Sequence, residues 1–233
     1  MKKLAIAVTA VAAFTGSAIA ADMPVKARYI APVVTAYNWT GCYVGAGGGY
    51  GMYNQDVSNS FFGPETLTLG GRGWFGTAQV GCDYQVMPSI VIGAFGDYDF
   101  SDITGHLGQT DEKLSSSWHV GGRVGWIALP NLLTFVSGGY TEARFDQIDF
   151  PNGGDPTFIP ATTYKGWFLG SGYEYGLGFM PGLFWKTEYR FADYQAQTVP
   201  VVAVADGFIF GTFDSHKYVQ TIRSELVYRF NWH

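Results

Sequence analysis

Residues 218–230, near the end of the chain, alternate apolar and charged side chains with the two-residue period of a β-strand. The two sets are Ile222, Ser224, Leu226, Tyr228 and Phe230 on one parity, and Thr221, Arg223, Glu225 and Arg229 on the other. A soluble β-sandwich buries the apolar face and wets the charged one, whereas a membrane barrel turns the apolar face to lipid and the charged face inward. The pattern predicts a strand but does not decide whether its apolar face contacts the protein core or lipid.

Similar segments recur along the chain. We predict eight strands, at about 40–50, 73–84, 89–100, 115–128, 132–143, 164–178, 182–194 and 218–230. Each is close to the roughly ten residues that a tilted membrane strand requires. The strand at 132–143 cannot be phased, because Ser137-Gly138-Gly139 interrupts both parities.

The connections between these strands alternate in length. Three are short and contain proline, at 85–88, 129–131 and 179–181, whereas those at 51–72, 101–114, 144–163 and 195–217 are longer and polar or rich in Gly and Pro. Short periplasmic turns that alternate with long extracellular loops are typical of outer-membrane barrels. We therefore predict an all-β, eight-stranded antiparallel up-and-down transmembrane β-barrel.

Composition favours the membrane over water as the outer solvent. Of 233 residues, 47% are hydrophobic and only 14% are charged, against about a quarter charged in soluble proteins. Beyond the N-terminus no run approaches the roughly 18 apolar residues of a membrane helix, so strands must supply the spans.

The N-terminus has the order of a secretory signal: Lys2 and Lys3, an apolar stretch at 4–14, and small residues up to Ala20. We predict a signal peptide at 1–20, an extended periplasmic leader at 21–38 and an outer-membrane barrel domain at 39–233. Without the two lysines the net charge falls from −5 to about −7. An acidic chain of this kind has no general electrostatic reason to bind nucleic acid.

Three short motifs resemble a known family: Asn38-Trp39-Thr40-Gly41, then Tyr43-Val44-Gly45, and the terminal Tyr228-Arg229-Phe230. Together they are similar to those of the small porin-like outer-membrane immunogenic proteins of alpha-proteobacteria, in the outer-membrane protein A-type barrel superfamily. The resemblance implies a surface-exposed barrel among outer-membrane lipid and lipopolysaccharide, with no catalytic residues to carry over. It also implies an aromatic terminus that barrel-assembly machinery recognises, here Tyr228, Phe230 and Trp232. The chain departs from the pattern in having Cys42 at a position that is often aromatic and three residues after Phe230.

Charged side chains on the inner parity predict a filled interior. An eight-stranded barrel is just wide enough to be filled by its own side chains. We expect an inward charge network of Arg123, Glu174, Lys186, Glu188, Arg190, Arg223 and Glu225, with Lys186 between Glu174 and Glu225, and Glu188 facing Arg223. The alternative is that some of these charges reach the rims. The predicted function is a non-enzymatic barrel for envelope structure and surface presentation; the alternative is a low-conductance porin for small solutes.

Cys42 and Cys82 fall at the periplasmic end of neighbouring predicted strands, on the same parity. In an oxidising periplasm we expect them to form a disulfide, the alternative being two small apolar residues at the lipid boundary.

Catalysis is the alternative of a different class. Some outer-membrane barrels hydrolyse lipid A or peptides through Ser, His and Asp side chains near the outer rim. The candidate residues are His119, His216, Asp97, Asp99, Asp102 and Ser115 to Ser117. No nucleophile motif marks these serines, the glycines at 45–51 lack the helix and acidic residue of a nucleotide site, and no metal-ligand spacing appears. We predict neither enzyme activity nor a cofactor.

The long connections carry aromatic side chains among polar residues. They are Phe61, Phe62, Phe150, Phe158, Phe208, Phe210 and Phe213. Such side chains either cap the barrel mouth or bind a surface partner, and we expect capping.

Overall fold

A computed structural model describes residues 37–58, 67–107, 110–150 and 156–231. The predicted signal peptide, the leader up to residue 36, Trp232, Phe61 and Phe62 lie outside the described residues. Among the described residues, no helix has the length and apolarity to cross a membrane.

Strands make up almost all of the described chain. They are β1 Gly41–Ser58, β2 Leu67–Met87, β3 Ile90–Leu107, β4 Thr110–Leu129, β5 Leu132–Phe145, β6 Ile148–Phe150, β7 Thr157–Ile159, β8 Thr162–Gly176, β9 Leu183–Ala203 and β10 Ile209–Asn231. The eight long strands pair antiparallel, each with its neighbour in the chain, and β10 pairs with both β9 and β1. The sheet is therefore a closed up-and-down barrel, as predicted. The short strands β6 and β7 extend it beside the upper part of β9.

The two parities of each strand face different surroundings. In β10, Arg223, Glu225 and Arg229 are buried inside the barrel, while Leu226 and Phe230 are about half exposed on its outside. The same outward belt contains tryptophans near its two edges, such as Trp74 and Trp126, with aliphatic side chains between them: Val80, Val120, Val124, Val136, Leu169, Ile222 and Leu226. An apolar band edged by aromatic residues is the surface that a barrel presents to lipid.

The strands extend further than predicted at the extracellular end. β10 begins at Ile209, not at residue 218, and β3 continues to Leu107. The long connections are correspondingly shorter, and the connection at 144–163 contains β6 and β7. The strands have 14 to 23 residues, whereas roughly ten suffice to cross the membrane, so the barrel continues beyond the lipid.

The structure also settles the phase of β5. Leu133, Phe135, Ser137 and Thr141 are buried inside, and Val136 faces out. The parity is continuous through Gly138 and Gly139, but these residues have no side chain to reveal it. Two large apolar residues point inward here, which also obscures the pattern.

Glycines on the inner face of β1 make room for bulky neighbours. A Cβ on Gly49 would collide with the ring of Phe75, and one on Gly51 would approach the side chain of Ile103 closely. Close packing against bulky inward side chains therefore accounts for Gly49 and Gly51 without a nucleotide loop.

Candidate functional site

The interior of the barrel holds a set of ion-paired side chains that we call the charge plug. Its members are Asp83, Asp97, Asp99, Arg123, Glu174, Lys186, Glu188, Arg190, Arg223, Glu225 and Arg229, all of them buried. They come from the inner parity of β2, β3, β4, β8, β9 and β10. Burying so many charges is tolerable only when nearly all of them are paired.

At the periplasmic end, two carboxylates and two guanidinium groups form a closed ring. Arg123 donates through Nε to Asp83 Oδ1 at 2.9 Å and through Nη1 to Glu174 Oε2 at 3.2 Å. Arg229 completes the ring, with Nε 2.7 Å from Glu174 Oε1 and Nη1 2.7 Å from Asp83 Oδ2. Each carboxylate bridges both arginines, so removing one member leaves two charges short of a partner.

The next layers pair across the barrel. Lys186 lies 3.1 Å from Glu188 and 3.5 Å from Glu225, and donates to the amide oxygen of Gln79 at 2.8 Å. Arg190 donates to both Asp97 oxygens at 3.0 Å and to Glu188 Oε2 at 3.0 Å. In the same layer Arg223 joins Asp97 at 3.2 Å and Asp99 at 2.9 Å. These contacts link β9 and β10 to β3 on the opposite wall.

Aromatic rings fill the space between the ion pairs. The guanidinium carbon of Arg190 lies 4.5 Å from the centre of the Phe168 ring, and that of Arg123 lies 4.7 Å from the Tyr43 ring. At the periplasmic end, fully buried Trp39 lies beneath Arg229, 4.9 Å away, and packs on Phe184. A cavity of about 10 Å³ above Arg190 is close to the size needed for a single water molecule.

The structure brings together all seven residues of the predicted network and adds partners to it. The strands have the predicted register, with Lys186 opposite Glu174 and Glu225, and Glu188 opposite Arg223. The ion pairs themselves differ, because Arg223 binds Asp97 and Asp99 and Glu174 binds Arg123 and Arg229.

Sequence reasoning left four members out of the network: Asp83, Asp97, Asp99 and Arg229. The alternation along each strand places these four side chains inside the barrel and is enough to identify them as candidates. Their ion pairs across the barrel cannot be predicted from the sequence, because strand register relates only neighbouring strands.

The candidate catalytic residues do not form a triad. His119 is buried, with Nδ1 2.7 Å from Asp97 Oδ1 and its ring against Phe168. Ser117 donates to Asp99 at 3.4 Å, and Ser115 donates to the carbonyl oxygen of Arg144.

His216 and Asp102 lie on the outer surface. His216 pairs with Asp193 at 2.8 Å, and Asp102 pairs with Lys113 at 2.7 Å. His216 Nδ1 also lies 2.9 Å from the Tyr218 hydroxyl, so this imidazole contacts a hydroxyl and a carboxylate, but neither Ser115 nor Ser117 takes part.

Asp97, Asp99 and His119 also approach within 4.8 Å of one another, a spacing suited to a metal ion. Asp97 is already paired with Arg190 and Arg223, and Asp99 is paired with Arg223. The two guanidinium charges oppose a cation at this position, so the cluster belongs to the plug.

Cys42 and Cys82 form a disulfide between directly opposite residues of β1 and β2, as predicted. They lie on the outward parity, with Cys82 exposed, so the bridge ties the two strands together at the periplasmic edge of the lipid belt.

The aromatic residues of the predicted assembly signal and of the loops have distinct positions. Tyr228 and Phe230 face outward with their ring centres 5.1 Å apart. Phe150, Phe210 and Phe213 line a cavity at the extracellular mouth. Phe208 is exposed beside Phe210, and Phe158 lies in β7, so three of the five described members of the predicted capping set line the mouth.

A closed ring of eight long strands with a lipid-facing apolar belt and a charged, filled interior defines an outer-membrane β-barrel protein. The chain is similar to the 31 kDa outer-membrane immunogenic protein of Brucella melitensis, with 29% identity across 99% of this chain and 100% of that protein. The protein of the same name from Brucella suis matches to the same extent. These findings confirm the resemblance predicted from the sequence and the location in the bacterial outer membrane. No family model matches the chain.

Remote similarity to solved barrels accompanies this match. OprG of Pseudomonas aeruginosa has a TM-score of 0.47 and 9% identity, covering 83% of this chain and 98% of that one. A major outer-membrane protein of Thermus thermophilus has a TM-score of 0.45 and 15% identity, covering 79% and 99%. Similarity at this level carries no argument about function.

Proposed function

We propose that the protein is a non-enzymatic barrel, closed to solutes, that supports the outer membrane and presents its extracellular strands at the cell surface. The observation that carries the proposal is the charge plug. Its ion pairs reach from wall to wall, and aromatic rings fill the gaps between them. A low-conductance porin is the alternative, and it requires a continuous aqueous path beside these pairs.

The surroundings of His119 support a role without catalysis. Its imidazole is 4% exposed, and the carboxylate beside it is shared with Arg190 and Arg223. A general base must reach its substrate, and this one is enclosed by the plug. Purified barrel mixed with lipid A should release no palmitate above a protein-free control; release that disappears in His119→Ala would contradict the proposal.

The outward belt supports a structural role among outer-membrane lipid and lipopolysaccharide. Deletion of the gene should increase detergent sensitivity of the envelope, and the wild-type chain should restore resistance. A variant shortened in the extracellular connection around 204–208 should restore resistance equally well but lose any adhesion to a host surface. Equal detergent resistance with and without the gene would contradict the structural role.

A further inference from the structure

Above the charge plug, the extracellular end of the barrel contains a cavity of about 450 Å³. This is within the usual range for small-molecule sites, roughly 300 to 1,000 Å³. Its walls come from nearly all the strands and are mainly apolar. They include Phe145, Ile148, Ile159, Tyr164, Val199 and Phe213.

The floor of the cavity is polar and closed. Gln55 and Glu112 line it and both accept hydrogen bonds from Lys217, whose Nζ lies 2.6 Å from Glu112 Oε1. Fully buried Lys217 sits 4.1 Å from the centre of the Phe145 ring, and Tyr53 donates to the carbonyl oxygen of Glu112. The cavity is therefore open to the outside but closed at its lower end by these hydrogen-bonded side chains.

The charges around the cavity determine which polar group a bound molecule can carry. Its lining has two carboxylates, Glu112 and Asp146, and no Lys or Arg among the described residues. Lys217 neutralises Glu112. Among the described residues no cation lies within 4 Å of Asp146, and the one that acts on it from further away, Lys113, is paired with Asp102 at 2.7 Å. The cavity thus repels an anion and favours a neutral or positively charged group that donates hydrogen bonds.

We propose that this cavity binds a small amphiphile with a hydrocarbon or aromatic body and an amine or hydroxyl at one end. The apolar walls take the body, and the carboxylate and amide oxygens of the floor and rim accept from the polar end. The site is separate from the plug and does not depend on whether the barrel conducts.

Methyl NMR of the barrel in lipid nanodiscs tests the proposal, with dodecylamine as the probe. The methyl signals of Ile148 and Ile159, in the cavity, should shift in a saturable way. Ile92 and Ile222 face lipid and report amphiphile that merely partitions into the bilayer. Shifts of all four residues together, without saturation, would overturn the proposal.

Two matched variants test whether the probe binds in the cavity or on the lipid face. Val199→Trp fills the cavity and should weaken binding about tenfold or more, whereas Val136→Trp on the lipid face should leave it unchanged. A heat-modifiability gel checks that both variants fold. If Val199→Trp does not fold, the methyl shifts of the wild-type barrel still show whether dodecylamine binds in the cavity.

Charge selection has its own comparison. Dodecanoate has the same chain length as dodecylamine, and we expect it to bind about tenfold more weakly. Asp146→Asn should reduce the difference in affinity between dodecylamine and dodecanoate, because it removes a negative charge from the cavity lining. Tighter binding of dodecanoate than of dodecylamine to the wild-type barrel would contradict the proposed chemistry.

Discussion

At the scale of single residues, the interior is stabilised by complementarity of charge and shape. Glu174 is completely buried and binds two arginines, so its negative charge is needed where it lies. Gly93, on the inner face of β3, leaves the space that the carboxylate of Asp83 occupies. Both positions can be tested by one substitution each.

Glu174→Ala should lower the heat-unfolding midpoint in detergent, because Arg123 and Arg229 lose a shared partner. Removing one member of a buried ion pair costs roughly 3 to 5 kcal/mol. The matched control is Glu142→Ala, since Glu142 lies on the outer side of β5, 3.9 Å from Lys165. Pairs near the surface contribute about 0 to 1 kcal/mol. Equal unfolding midpoints for the two variants would show that the plug does not stabilise the barrel.

Gly93→Ala should destabilise the barrel, because the new Cβ would overlap the Asp83 carboxylate and displace it from Arg123. Overpacking of this kind costs roughly 1 to 3 kcal/mol. Gly122→Ala is the control, since a Cβ there would lie 3.5 Å from the carbonyl oxygen of Gly93, an ordinary contact. Urea titration of both variants in lipid vesicles measures the difference. Unchanged stability of Gly93→Ala would mean that Asp83 can move without loss.

At the scale of the strands, sequence alternation identified all eight long strands but misplaced their extracellular ends. Within the membrane the two faces meet lipid and a polar interior, so the parities contrast sharply. Above it the outer face meets water, and in β10 Asp214 and His216 point outward while Ser215 and Lys217 point inward. Both faces are then polar, and the pattern that marks a strand disappears.

The same reasoning explains what could be predicted of the site. Alternation along the strand assigned Arg223 and Glu225 to the interior. Antiparallel register placed Lys186 opposite Glu174 on one side and Glu225 on the other. Register describes adjacent strands only. Arg190 and Arg223 are long enough to reach Asp97 on the opposite wall, and no local pattern carries that information.

The outward aromatic residues of β10 give a prediction about assembly. Phe230→Ala should reduce the amount of folded barrel in the outer membrane, because the family resemblance predicts that the aromatic residue at this strand end is part of an assembly signal. Deletion of 231–233 should leave assembly nearly intact, since Tyr228 and Phe230 remain. A heat-modifiability gel on membrane fractions measures both. The reverse pattern would place the signal in the last three residues.

At the scale of the whole molecule, the barrel has two interiors stacked along its axis. The charge plug occupies the membrane-embedded part, and the extracellular extension holds an apolar cavity over the floor formed by Gln55 and Glu112 with Lys217 bound to both. Strands longer than the membrane requires build the second compartment. On the function proposed above, a closed plug would give the barrel a structural role, and the cavity above the plug would bind a ligand without transporting it.

Single-channel recording in a planar lipid bilayer tests the closed plug most directly. The purified wild-type barrel, shown to be folded by its heat-modifiable mobility, is added at high salt, with a known porin in the same bilayer as a positive control. The ion pairs from wall to wall predict no discrete current steps from this protein. Reproducible small steps of uniform size would show a continuous aqueous path and contradict the plug.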